Sequence, residues 1–150
     1  MKPAARYRDR ALTRTRGHEG VVMKKEQEPH STGSSGHGPD RRIFCCSGAS
    51  NVGLLSFQAA IRLAQEGFGS FSCIAGIGSG NQPMIRAAKS AEECVLIDGC
   101  PVGCGKKIMD AYKVPVDRYI IVTELGIDKT HDLEIDEQEI GTVTEAVKRS

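Results

Sequence analysis

From residue 43 onward the chain alternates short apolar runs with longer amphipathic stretches. "RIFCCSG" is an apolar run stopped by a glycine turn, the pattern of a buried strand. In "NVGLLSFQAAIRLAQEG", Leu54, Phe57, Ile61 and Ala64 recur at helical spacing, and Val52, Leu55, Ala59 and Leu63 widen the buried stripe. Ser50 or Asn51 is suited to cap the start of this helix, and Gly67 to end it. "SFSCIAGIG" predicts a second strand, running into the glycine-rich "GIGSGNQP". A helix begins near Pro83, because proline is tolerated in a first turn. "CVLID" predicts a third strand, "CGKKIMDAYKV" a third helix and "RYIIVTEL" a fourth strand, with a short closing helix from around Asp136.

Strands that alternate with helices of this length imply βαβ units and a parallel sheet. Right-handed crossovers then place helices on both faces. The expectation for residues 43–150 is a small three-layer α/β domain with a four-stranded parallel sheet and helices on both faces.

Residues 1–42 read differently. They are an Arg-rich stretch followed by a Gly/Ser/Pro/His linker, without apolar periodicity, and are expected to form a disordered basic tail. They carry ten Lys/Arg against five Asp/Glu, a net of +5, and three of the four histidines, His18, His30 and His37, which are expected to be solvated. The context "VVMKKEQ" makes Met23 an alternative start to Met1. The tail lacks the apolar core of a secretory signal, and Asp9 and the missing apolar face argue against a transit peptide. Residues 43–150 carry ten Lys/Arg against fourteen Asp/Glu, a net of −4, so the folded part has no electrostatic footprint for nucleic acid. No apolar run approaches the ~18 residues of a membrane span. A cytoplasmic location follows as the expectation, and in a reducing compartment the six cysteines should be free or metal-bound.

Those cysteines hold the candidate chemistry. In an open parallel sheet, ligands gather beyond the carboxyl ends of the strands. Cys46 ends the first strand, Cys100 follows the third two residues after Asp98, and Cys104 opens the next helix, so these thiols converge on one rim. Cys73 falls nearer the interior of the second strand. Cys45 should face away from Cys46, and Cys94 begins the third strand at the far end of the sheet; both read as small buried apolar residues. Converging thiols suit zinc, which takes four thiolates in a closed tetrahedral site. A single C-x₃-C pair is a weak signal, and turn or core filler is the competing account. An iron–sulfur cluster also takes four cysteines.

"CSGASNVG", "CIAGIGSG", "DGCPVGCGKK" and "YIIVTELGIDK", in this order over about residues 43–135, resemble the DGC-domain family, named for its Asp-Gly-Cys tripeptide, here Asp98, Gly99 and Cys100. The resemblance implies zinc (Zn2+) bound by four cysteines, which the motifs place at Cys46, Cys73, Cys100 and Cys104. It implies no reaction.

Other chemistries fare less well. "CSGASNV" imitates the phosphate loop of cysteine phosphatases, but Val52 stands where that loop needs its arginine. "GIGSGN" imitates a dinucleotide fingerprint, but Asn81 replaces the third glycine. The main alternative to zinc is a thiol enzyme handling disulfides, persulfides or sulfur transfer through Cys100 or Cys104, with Lys106 and Lys107 nearby. Asp98 either orients the site or caps the turn after the third strand. Glu124 is expected at the end of the fourth strand on the same rim, and His131 in exposed polar chain. No general base is evident, so no catalytic residue is assigned.

Overall fold

The computed structural model describes residues 39–150. The expected disordered tail over 1–42 and the alternative start at Met23 fall almost wholly outside these residues. In chain order the elements are β1 (Arg41–Cys45), α1 (Asn51–Gln65), β2 (Ser70–Phe71), α2 (Ile74–Gly78), α3 (Gln82–Ser90), β3 (Glu93–Asp98), α4 (Cys104–Ala111), β4 (Arg118–Ile121), a 3₁₀ turn (Val122–Leu125) and α5 (Glu137–Arg149). All strands pair in parallel, in the order β2-β1-β3-β4. The four-stranded parallel sheet with helices on both faces is the architecture the sequence predicts.

Alternation along the central strands builds both cores. Ile43, Cys45, Val95 and Ile97 face α1 and α5, against Val52, Leu55, Leu63, Val143 and Val147. Phe44, Cys94 and Leu96 face the other way, toward Ile77, Ile85 and Met109 of α2, α3 and α4. Leu55 and Leu63 are fully buried, and burying each such side chain contributes about 1.5–3 kcal/mol. The stripe on α1 centres on Val52, Leu55, Ala59 and Leu63, while Leu54, Phe57, Ile61 and Ala64 are only half-buried.

Two predicted strands are shorter than expected. β2 stops at Phe71, and "IAGIG" forms α2 instead of continuing the strand. β2 is an edge strand whose last ladder bond runs from Ser72 N to Ile43 O at 2.8 Å. Beyond it the Cys73 sulfur accepts from Gly76 N at 3.4 Å and starts a helical turn. Gly76 and Gly78 therefore lie inside a helix, and the strand-to-glycine-turn context of a dinucleotide fingerprint is not formed. β4 stops at Ile121, level with Asp98, the last residue of β3. Thr123 N instead donates to Gly99 O at 3.3 Å as the chain tightens into the 3₁₀ turn. Glu124 accordingly lies in that turn and not at a strand end.

Candidate metal centre

The chain leaves β1 toward β2 on one side and, two crossovers later, arrives at β3 on the other. The carboxyl ends of β1 and β3 thus flank a topological switch point, the place where an open α/β sheet leaves a crevice. Cys46 follows β1 and Cys100 follows β3, so the two loops bordering this crevice each carry a thiol.

The first loop is held tightly. Cys46 N donates to Ile97 O at 2.8 Å, keeping the residue on the line of the sheet. Ser50 caps α1 by accepting from Gly53 N at 3.4 Å. A Cβ on Gly53 would stand 2.5 Å from Gly48 O, so only glycine lets the loop close this tightly over the helix start. The second loop is held by Asp98. This carboxylate is 1% exposed. One oxygen accepts from Gly105 N at 2.9 Å, and the other from Lys106 N at 2.9 Å and the Tyr119 hydroxyl at 3.1 Å. A charge at the end of β3 thereby satisfies N–H groups at the start of α4, where the helix dipole favours it. The loop bends at Gly103, whose φ of 62° lies in the left-handed region. Asp98 caps and braces together, and Cys100 and Cys104 stand at the two ends of the segment it ties down. Burial, then the Asp98 charge, push the Tyr119 phenol well above its ordinary range.

Cys46, Cys100 and Cys104 line one cleft of about 140 Å³ with Ser50, Lys129 and His131. Cys73 lines a separate cavity of about 300 Å³ beside Phe71 and Met84. Continuing the β1–β2 register, Arg42 with Ser70 and Ile43 with Phe71, puts Cys73 level with Cys45, one strand across from the Cys46 loop. Cys45 and Cys94 are buried, as the alternation and strand position imply. Burial first, then Cys46, Asp98 and Cys73, push the Cys45 thiol up to about 12. That thiol is buried among the apolar side chains of the core and lies outside the cleft. As a donor set, soft sulfurs on adjacent loops fit zinc. Among the described residues, however, no three Cys, His, Asp or Glu side chains already stand close enough together to hold an ion. A metal would have to draw the thiols in.

Two residues of the cleft were not singled out as site residues from the sequence. Lys129 Nζ donates to Cys100 Sγ at 3.5 Å. His131 is exposed, as expected, yet lines the cleft. Both come from the polar segment after β4, which carries no periodicity to mark it. Among the described residues no helix is long and apolar enough to cross a membrane.

The DGC domain family model matches residues 42–147 of the chain. The chain is 31% identical over 97 residues to the anaerobic and virulence modulator AnvM of Pseudomonas aeruginosa, a match covering 65% of this chain and 74% of the relative. No solved structure matches. The chain belongs to the DGC domain family.

Proposed function

We propose that this DGC-domain protein is a cytoplasmic zinc-binding protein that holds one Zn2+ through the thiolates of Cys46, Cys73, Cys100 and Cys104 at the carboxyl rim of its sheet. The observation that carries this reading is that Cys46, after β1, and the Cys100–Cys104 segment, after β3, line one cleft at the switch point although they are far apart in the chain. Cys73 is exposed and lines a separate cavity, and it joins the set on the family motif and on its register level with Cys45. Bound zinc would supply a closed tetrathiolate that ties the loops after β1, β2 and β3 together. The chain's own residues prepare for it: Asp98 fixes the Cys100–Cys104 segment and Ser50 fixes the loop behind Cys46. The name of the Pseudomonas relative, a modulator, favours a regulatory role for such a site over a catalytic one.

The test is metal stoichiometry by elemental analysis, on protein purified without added metal, across serine variants of all six cysteines. Wild type, Cys45→Ser and Cys94→Ser should keep one zinc per chain, and the variants at 46, 73, 100 and 104 should lose it. Unchanged zinc in Cys100→Ser and Cys104→Ser would refute the ligand set. Visible absorbance with bound iron would replace zinc by an iron–sulfur cluster.

A second reading, a thiol enzyme acting through Cys100 or Cys104, is favoured by the Lys129 ammonium beside Cys100. It predicts one fast-alkylating cysteine in fully metallated protein, whereas four ligated thiolates should react slowly until a chelator removes the metal.

A further inference from the structure

Asn51 is the first residue of α1, yet it does not cap the helix, which Ser50 does. It is 7% exposed and spends both ends of its amide on a distant segment. Its Nδ2 donates to Asp128 O at 2.8 Å and its Oδ1 accepts from Thr130 N at 2.7 Å. The Asn51 backbone N–H adds a bond to Thr130 O at 3.3 Å. One side chain thus clamps the backbone on both sides of a single residue, Lys129. That residue is exposed, but its ammonium is aimed: Nζ lies 3.5 Å from Cys100 Sγ. Among the described residues it makes no ion pair with a carboxylate, unlike Lys106 and Lys148. A lysine on a free polar loop would sample many rotamers with its charge in water. Here the backbone on either side is fixed to a buried amide, and the charge is delivered to the rim of the thiol cleft.

We propose that Asn51 and Lys129 act as a pair that stabilises the metal-bound thiolates, Asn51 by fixing the 128–130 segment and Lys129 by donating its ammonium hydrogen to the sulfur of Cys100. The proposal rests on the zinc reading above. Four thiolates around a divalent cation leave a net charge of −2, and an ammonium hydrogen-bonded to one sulfur offsets part of it. Lys129 supplies this charge and Asn51 is its positioning residue. Partners that orient or charge-balance metal ligands typically change affinity 10- to 100-fold when removed.

The measurement is zinc affinity by competition with a chromogenic chelator, alongside the thermal midpoint of the metal-free protein. Lys129→Met should weaken zinc binding about tenfold or more, with the metal-free midpoint unchanged because the side chain is exposed. Lys129→Arg should restore most of the affinity. Asn51→Ala should weaken zinc similarly, and adding it to Lys129→Met should cost little more, since the asparagine acts through the lysine. Lys107→Met, an exposed lysine outside the cleft, controls for net charge and should bind as wild type does. If Asn51→Ala fails to fold, the Lys129 variants decide alone. Zinc bound equally by wild type and Lys129→Met, or lost equally in Lys107→Met, overturns the pair. Absence of zinc from the wild-type protein instead overturns the zinc reading itself, and the two failures are separate results.

Discussion

Replacing Asp98 by alanine removes the acceptor for Gly105 N, Lys106 N and the Tyr119 hydroxyl at one stroke. Losing a helix-capping acceptor costs about 0.5–2 kcal/mol. The Gly105 N–H is buried, and leaving a buried donor unpaired costs about 1–3 kcal/mol. Part of this is returned because a carboxylate that is 1% exposed no longer has to be desolvated. A net loss of about 3 kcal/mol is therefore expected for Asp98→Ala. Asp98→Asn keeps Oδ1 for Gly105 but turns an amide N–H toward the Lys106 N–H, where two donors meet. The Tyr119 hydroxyl can rotate to accept, so the loss should be about 2 kcal/mol. Tyr119→Phe removes one donor that water can replace in part, and should cost about 1 kcal/mol.

The assay is urea unfolding of chelator-treated protein, so that zinc does not enter the balance, with the slope m unchanged between variants. A cycle combining Asp98→Ala with Tyr119→Phe should show coupling of roughly 0.5–2 kcal/mol, since the two side chains touch. If Asp98→Ala lies within about 0.5 kcal/mol of wild type, the range of an ordinary surface change, the carboxylate does not brace the Cys100–Cys104 segment. If it is destabilised but its zinc content and affinity are untouched, the brace belongs to the fold alone.

Alkaline pH should report on Cys94. Burial first, then the Asp117 carboxylate, push its thiol from 9.0 up to about 11. The unfolded chain therefore releases this proton first: the stability it represents is complete below pH 9 and is lost as pH rises toward 11, at most about 2.7 kcal/mol. Cys94→Ala should flatten this part of the stability–pH profile relative to wild type, and an equal slope in both proteins would contradict it. Gly53→Ala puts a Cβ 2.5 Å from Gly48 O, so backbone must shift. A loss of about 1–3 kcal/mol is expected, with weaker zinc binding as the Cys46 loop moves; a variant as stable as wild type would show that the loop yields without cost.

How much of this was legible in the chain divides along physical lines. The architecture was, because burying both faces of a central strand or one stripe of a helix forces periods that residues 43–65 and 93–98 display openly. The convergence of Cys46, Cys100 and Cys104 was legible too, since strand order and the carboxyl-end rule fix which loops meet without any knowledge of side-chain positions. The ends of β2 and β4 were not. β2 ends at Phe71 although β1 runs on to Cys45, because the Cys73 sulfur starts a helical turn there, and β4 ends at Ile121 level with Asp98, the last residue of β3. For Asp98 two roles stood open, and only the bonds to Gly105 and Lys106 join them into one. The polar lining of the cleft was the least legible feature. Lys129 and His131 lie in "DKTHDLE", polar chain whose place depends on Asn51 reaching main-chain groups 77 and 79 residues away. A side chain bonding to backbone leaves no constraint on what the bonded residues are, and so no pattern in their sequence. The residues that line the cleft from this segment are therefore the ones a reading of motifs passes over, and Asn51, which looks from the sequence like a helix cap, is what ties down the backbone on both sides of Lys129, whose Nζ lies 3.5 Å from Cys100 Sγ.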